Sequence, residues 1–207
     1  MRKTTKRDIF IGLIVIATTS ACIALYLSEQ VAATPQEEAA SLAGDEFINN
    51  PIGVANHAIT VHGSPREVWP WLVQMGSGRA GWYAYDFIDN GGHPSSYRVV
   101  PEFQAVKVGD VFPALPGQNQ VFSLMRLTPE RDLVLGWRQP NGNVQTSWAF
   151  VLFEPRPGET RIVVRGRIAE GYTPLGLPQW IAVLVAKPAH FIMERKQLLG
   201  LARRVEQ

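Results

Sequence analysis

Two consecutive stretches, residues 143–154 and 160–169, alternate in side-chain character on either side of a Pro157-Gly158-Glu159 turn. In the first, Val144, Thr146, Trp148, Phe150 and Leu152 share one side, with Gln145 and Ser147 opposite. In the second, Ile162, Val164 and Ile168 share one side, and Arg161, Arg165 and Arg167 point the other way. A period of two over this length predicts paired antiparallel strands that cover a core on one face and meet solvent on the other. Runs at 107–113, 120–128 and 132–138 extend the pattern, with turn residues at Pro129-Glu130-Arg131 and Asn141-Gly142. Residues 58–62 make a first strand ahead of them, and 97–100 a further short one, so the sheet has six or seven strands. The fold class is α+β.

The helical part of the pattern starts at residues 64–90. Ser64, Pro65 and Glu67 form an S-x-x-E capping box with proline at the first helical position. Val68, Trp71, Leu72 and Met75 follow at i, i+3, i+4 and i+7, one apolar helical face. Pro70 has no N–H for the carbonyl of Arg66, which predicts a kink. Gly76 and Gly78 stop the helix, and residues 83–90 form a short second helix closed by Gly91. A final helical region begins at Leu177 and breaks near Pro188; Phe191, Leu198, Ala202 and Val205 then make an apolar stripe through a charged helix.

Ahead of the domain, residues 9–27 are a 19-residue run without charge, preceded by Arg2, Lys3, Lys6 and Arg7. At about 1.5 Å per residue the run spans roughly 28 Å, the thickness of a bilayer's hydrocarbon core. The expected division is a single-pass transmembrane signal-anchor over 1–28, a linker over 29–56 and a folded domain over 57–207. The basic flank places the domain outside the cytoplasm. Cleavage after Val31-Ala32-Ala33, giving a secreted domain, is the alternative. A lipoprotein reading at Ser20-Ala21-Cys22 is weakened by Thr19 and by the apolar residues beyond the cysteine.

The overall charge of +2 comes from that basic flank, since residues 34–207 hold 16 Lys and Arg against 16 Asp and Glu. A neutral domain argues against nucleic acid as a partner. Cys22, the only cysteine, can form neither an internal disulfide nor a zinc cluster. His57, His62, His93 and His190 are scattered, with none at a metal-ligand spacing, so neither metal nor cofactor is expected. Gly76-Ser77-Gly78-Arg79-Ala80-Gly81 matches G-x-G-x-x-G but follows a helix instead of a buried strand, which argues against the dinucleotide reading. Ser77 lacks the nucleophile elbow of a hydrolase.

The chain resembles the SRPBCC superfamily (START-like, Bet v 1-like, polyketide cyclase/dehydratase), in a little-characterised bacterial branch. The likeness is carried by Val68-Trp69-Pro70-Trp71-Leu72-Val73-Gln74-Met75-Gly76, Gly78-Arg79-Ala80-Gly81-Trp82-Tyr83 and Tyr85-Asp86. Val108-Gly109-Asp110, Thr160-Arg161 and Phe191-Ile192-Met193-Glu194-Arg195-Lys196 with Leu199-Gly200 add to it. The resemblance covers about residues 57–205. It implies the helix-grip fold, with a deep, mostly apolar cavity between an antiparallel sheet and the last helix. It further implies a hydrophobic ligand such as a lipid, a polyketide or an isoprenoid-like molecule. No catalytic residue set extends across that superfamily.

The expected function is therefore a membrane-tethered domain binding a hydrophobic small molecule, more a binder than an enzyme. A cyclase or dehydratase acting in the same cavity, and a structural or partner-binding module at the membrane, are the alternatives. For an enzyme the candidate groups are Asp86 and Glu194 as acid/base with Arg79 or a tyrosine steadying negative charge. Candidate ligand contacts are Trp71, Met75, Arg79, Trp82, Tyr83, Tyr85, Trp137, Trp148 and Phe150. Arg79, on a glycine-flanked bend, is expected to be mostly buried. It should bond to Asp86, Glu194 or backbone carbonyls and so tie the helical pair to the final helix.

Overall fold

A computed structural model of the chain describes residues 26–117, 121–139, 141–172 and 179–207. The apolar run over 9–27 lies, except for its last two residues, outside the described residues. Among those described, no helix is long and apolar enough to cross a membrane.

Six strands form one antiparallel sheet: β1 (Gly53–His62), β2 (Val111–Pro113), β3 (Val121–Thr128), β4 (Asp132–Arg138), β5 (Val144–Arg156) and β6 (Glu159–Ile168). Their order is β1-β6-β5-β4-β3-β2, so β2 to β6 is a meander and the first strand returns to pair with the last. The β5–β6 hairpin closes through Pro157-Gly158, where Gly158 takes φ +79° at no side-chain cost. Helices α1 (Pro35–Ala39), α2 (Pro65–Val73), α3 (Asp86–Asp89) and α4 (Gln179–Val205) complete the fold.

One face of the sheet follows the expected alternation. Ile59, Val61, Leu133, Leu135, Phe150, Leu152, Ile162 and Val164 are buried against Val68, Trp71, Leu72 and Met75 of the α2 region and Leu198, Leu201 and Ala202 of α4. The capping box forms, with the Glu67 carboxylate accepting from both Ser64 N and Ser64 Oγ at 2.8 Å.

The opposite face was expected to meet solvent, and it does not. Residues 31–48, read from sequence as part of a linker, lie across it. Leu42, with Ala33, Ala43 and Phe47, covers Ala58, Val134, Ala149, Val151 and Val163. Ala58 N also bonds to Val31 O at 2.9 Å, which occupies the free edge of β1. The three arginines of β6 point into this layer: Arg161 pairs with Glu37, and Arg165 and Arg167 pair with Asp45.

Other boundaries differ for local reasons. β1 starts at Gly53, because pairing with β6 extends it beyond the apolar residues. Residues 97–100 pair with no strand among the described residues, and the second helix is only Asp86–Asp89. α4 runs on through Pro188. The carbonyl that this proline leaves without a donor belongs to Leu184, which is exposed, where water can replace the missing bond.

The Glu37–Arg161 pair predicts an acid-sensitive attachment. Arg161 donates to both Glu37 oxygens at 2.8 and 2.9 Å and this lowers the carboxyl's pKa, against burial and with help from Thr34. A lowered pKa contributes stability that is complete above the ordinary value of 4.5 and is lost as pH falls through the folded value. Hydrogen exchange in residues 31–48 should therefore accelerate below about pH 4.5, and Glu37→Gln should flatten that dependence. An identical pH profile in the variant would remove Glu37 as its source.

Candidate functional site

A cavity of about 400 Å³ lies between the sheet and α4, toward the end of the sheet away from the β5–β6 hairpin. Its apolar wall includes Trp82, Leu115, Phe122, Trp148, Ile168 and Met193. Four of the six strands supply side chains from their helix-facing side: Ala55 from β1, Phe122 from β3, Thr146 and Trp148 from β5, Ile168 from β6. The rings of Trp82, Phe122 and Trp148 pack together with centroids 5.4–5.9 Å apart, a stiff aromatic corner.

The polar part of the wall centres on Glu194, whose side chain is fully buried. On α4, His190 and Glu194 stand one turn apart on the same face. Trp148 Nε1 donates to Glu194 Oε1 at 2.6 Å, His190 Nε2 lies 3.2 Å from the same oxygen, and His57 Nδ1 bonds to Oε2. Burial alone would raise the carboxyl's pKa. The charge and hydrogen bond of His190, with those of His57, outweigh it and hold Glu194 down at about 2. Burial likewise opposes protonation of His190, but Glu194 outweighs it and the imidazole's pKa is raised. His57, His190 and Glu194 each offer one ligand atom, all within 4.8 Å of one another.

Two further polar side chains of the wall each leave one oxygen without a partner among the described residues. Asp89 Oδ1 and Gln197 Oε1 are buried and make no hydrogen bond among the described residues. Burial pushes the Asp89 carboxyl up, with the neighbouring Asp86 adding to the rise. Unmet buried acceptors favour a bound molecule that brings donors.

Of the residues proposed from sequence, Trp82, Trp148 and Glu194 line this cavity. Trp71, Met75, Tyr83 and Phe150 lie in the adjoining core. The Tyr83 hydroxyl donates to Trp71 O and accepts from Gln74 Nε2, both at 2.9 Å, and burial raises its pKa. Tyr85 is exposed beside Lys196, and Trp137 packs edge-on against Tyr172, itself a wall residue. Asp86 accepts from Ser95 N at 3.0 Å and from Ser95 Oγ, away from Glu194.

Arg79 is half-buried and bonds to backbone only. It donates to Val73 O at 2.8 Å and Met75 O at 2.9 Å, and its guanidinium packs 4.6 Å from the rings of both Phe103 and Phe112. It thus satisfies carbonyls at the end of α2, which otherwise lack donors. The tie to the final helix falls to Arg204. That side chain donates to Ser95 O, Ser96 O and Gly200 O and stacks between Tyr83 and Tyr97.

Sequence reasoning missed His57, His190, Asp89 and Gln197. The spacing of His190 and Glu194 on a helix was a usable signal. His57, 137 residues from Glu194, carried none.

No family profile and no curated protein matches the chain. Among solved structures it is similar to a protein from Nitrosospira multiformis (15% identity, 74% of this chain and 96% of that one, TM-score 0.46). It is also similar to CV1439 from Chromobacterium violaceum (17%, 75% and 99%, TM-score 0.45). A third is DynU16, a protein in the dynemicin biosynthetic locus (16%, 76% and 48%, TM-score 0.43). Likeness of this degree carries no argument about function, and the reading of the site rests on its own geometry.

Proposed function

We propose that the domain binds a predominantly apolar small molecule, of lipid, polyketide or isoprenoid-like character, in the cavity between the sheet and α4. The cavity itself carries the proposal: its volume of about 400 Å³ falls in the range of small-molecule sites, and its wall is mostly aromatic and aliphatic. Asp89 and Gln197 then favour a ligand whose apolar body ends in hydroxyl or amine donors. The uncharged run over 9–27 would hold this domain at a membrane, on the extracytoplasmic side.

Extraction of the purified full chain and mass spectrometry of the released small molecules tests this. One apolar species near equimolar amount is expected. Ala55→Phe, which adds a ring to the cavity wall, should lower its occupancy about tenfold, roughly 1.4 kcal/mol. Equal recovery from both proteins, or no bound species at all, would sink the proposal.

A second reading, a cyclase or dehydratase acting in the same cavity, is favoured by one observation. Asp89, with a raised pKa, and Glu194, with a lowered one, both line it, a division that suits a proton donor and an acceptor.

A further inference from the structure

We propose that His57, His190 and Glu194 form a binding site for one divalent transition-metal ion of the Zn²⁺ class, opening into the cavity. The inference concerns the chain's own side chains and stands whether or not an apolar ligand binds. Two imidazoles and a carboxylate are the donor set that first-row transition ions prefer, whereas Mg²⁺ and Ca²⁺ favour oxygen alone. The three ligand atoms lie within 4.8 Å of one another. Tetrahedral ligands around zinc, with bonds of about 2.0–2.2 Å, stand roughly 3.3 Å apart, so small ring rotations would close the set.

Three features besides the cluster point to an ion. His190 Nε2 is buried and faces Glu194 Oε1 at 3.2 Å, inside the cluster. An ion bound there would displace the proton of that nitrogen and take over its contact with the carboxylate. Gly166 keeps the space beside the nitrogen open, since a Cβ there would stand 3.3 Å from His190 Nε2. The backbone of Gly166 has no left-handed φ, so room and not conformation is what the glycine provides. Finally, Trp148 Nε1 donates to Glu194 Oε1 and fixes the carboxylate's orientation, as outer-sphere partners of metal ligands do. His190 and Glu194 face the cavity, so positions left vacant by three protein ligands would point at whatever occupies it.

The alternative is a buried Glu–His lock that only fastens α4 to β1 and β5. Titration of the full, chelator-treated chain with Co²⁺, followed by its visible d–d absorption and by Zn²⁺ competition, separates the two. One saturable equivalent is expected, displaced by Zn²⁺ and unaffected by excess Mg²⁺. His57→Gln and His190→Gln should each weaken binding by more than the roughly 10–100-fold that losing an outer partner costs, and Trp148→Phe by about that amount. His62→Gln and His93→Gln, which alter histidines away from the cluster, should bind as the native chain does. Circular dichroism identifies any variant that fails to fold, and His190, partly exposed, is the safer of the two ligand substitutions. No saturable Co²⁺ or Zn²⁺ binding, full retention in the folded His190→Gln chain, or equal binding of Mg²⁺ would overturn the site.

Discussion

Arg165→Ala is expected to destabilise the fold by about 3–5 kcal/mol and to release residues 31–48 from the sheet. The side chain is 3% exposed and lies beneath the N-terminal layer. Its Nε donates to Asn56 Oδ1 at 2.7 Å. One terminal nitrogen donates to Ala40 O and Asp45 Oδ2 at 2.8 Å, the other to Glu37 O at 2.7 Å and Glu38 O at 2.9 Å. All five N–H groups of the guanidinium are thus used. Truncation leaves three carbonyls without this donor, each costing about 1–3 kcal/mol where water cannot enter. Asp45 would keep Arg167, whose Nε lies 2.8 Å from Oδ1, and the Leu42 N–H that donates to Oδ2 at 3.0 Å. Arg165→Lys should recover little, because an ammonium cannot reach five acceptors spread over one plane. Urea denaturation and hydrogen exchange of the full chain provide the measurement. A loss below about 1 kcal/mol with unchanged protection over 31–48 would mean that apolar contacts alone hold the layer.

That layer was hidden in the sequence for a physical reason. Residues 28–56 are alanine-rich and polar, and their few larger apolar side chains, such as Val31, Leu42 and Ile48, follow no helical or strand period. The stretch is held instead by arginines reaching from β6, and three arginines on one side of a strand look the same in sequence whether they meet water or backbone carbonyls. The helix-facing side was legible, because Trp148, Phe150, Ile162 and Val164 alternate strictly and the turns between them are short. Trp82, Trp148 and Glu194 could be picked out as site residues on local grounds. The pairing of His57 with the last helix could not, since it depends on the first strand returning to lie beside the last. Arg79 shows the opposite failing: its glycine-rich setting suggested long reach, yet such a bend lets the side chain fold back onto the helix end just before it.

Gly200→Ala is expected to cost about 3 kcal/mol or more, although alanine is intrinsically the better helix former by about 1 kcal/mol. The contact decides the sign. A Cβ on Gly200 would stand 2.2 Å from Tyr83 O, 3.1 Å from Tyr83 Cβ and 3.2 Å from Tyr83 C. The atom in the way is backbone, and it cannot easily withdraw. Tyr83 is a non-glycine residue at φ +63°, tied by its N to Ser95 Oγ at 3.2 Å and by its hydroxyl to Trp71 O. Relief must therefore come from α4 moving outward. Arg204, which bonds Gly200 O at 2.8 Å, would move with it and lose reach to Ser95 O and Ser96 O. Glu194 lies less than two turns up the same helix, so its bonds to Trp148 and His57 would be drawn apart as well. Stability should fall together with ligand occupancy of the cavity, and a variant chosen for equal stability loss far from α4 should not lower occupancy. If Gly200→Ala proved neutral, α4 would have to sit farther from Tyr83 than described, and the cavity beneath it would have to be larger.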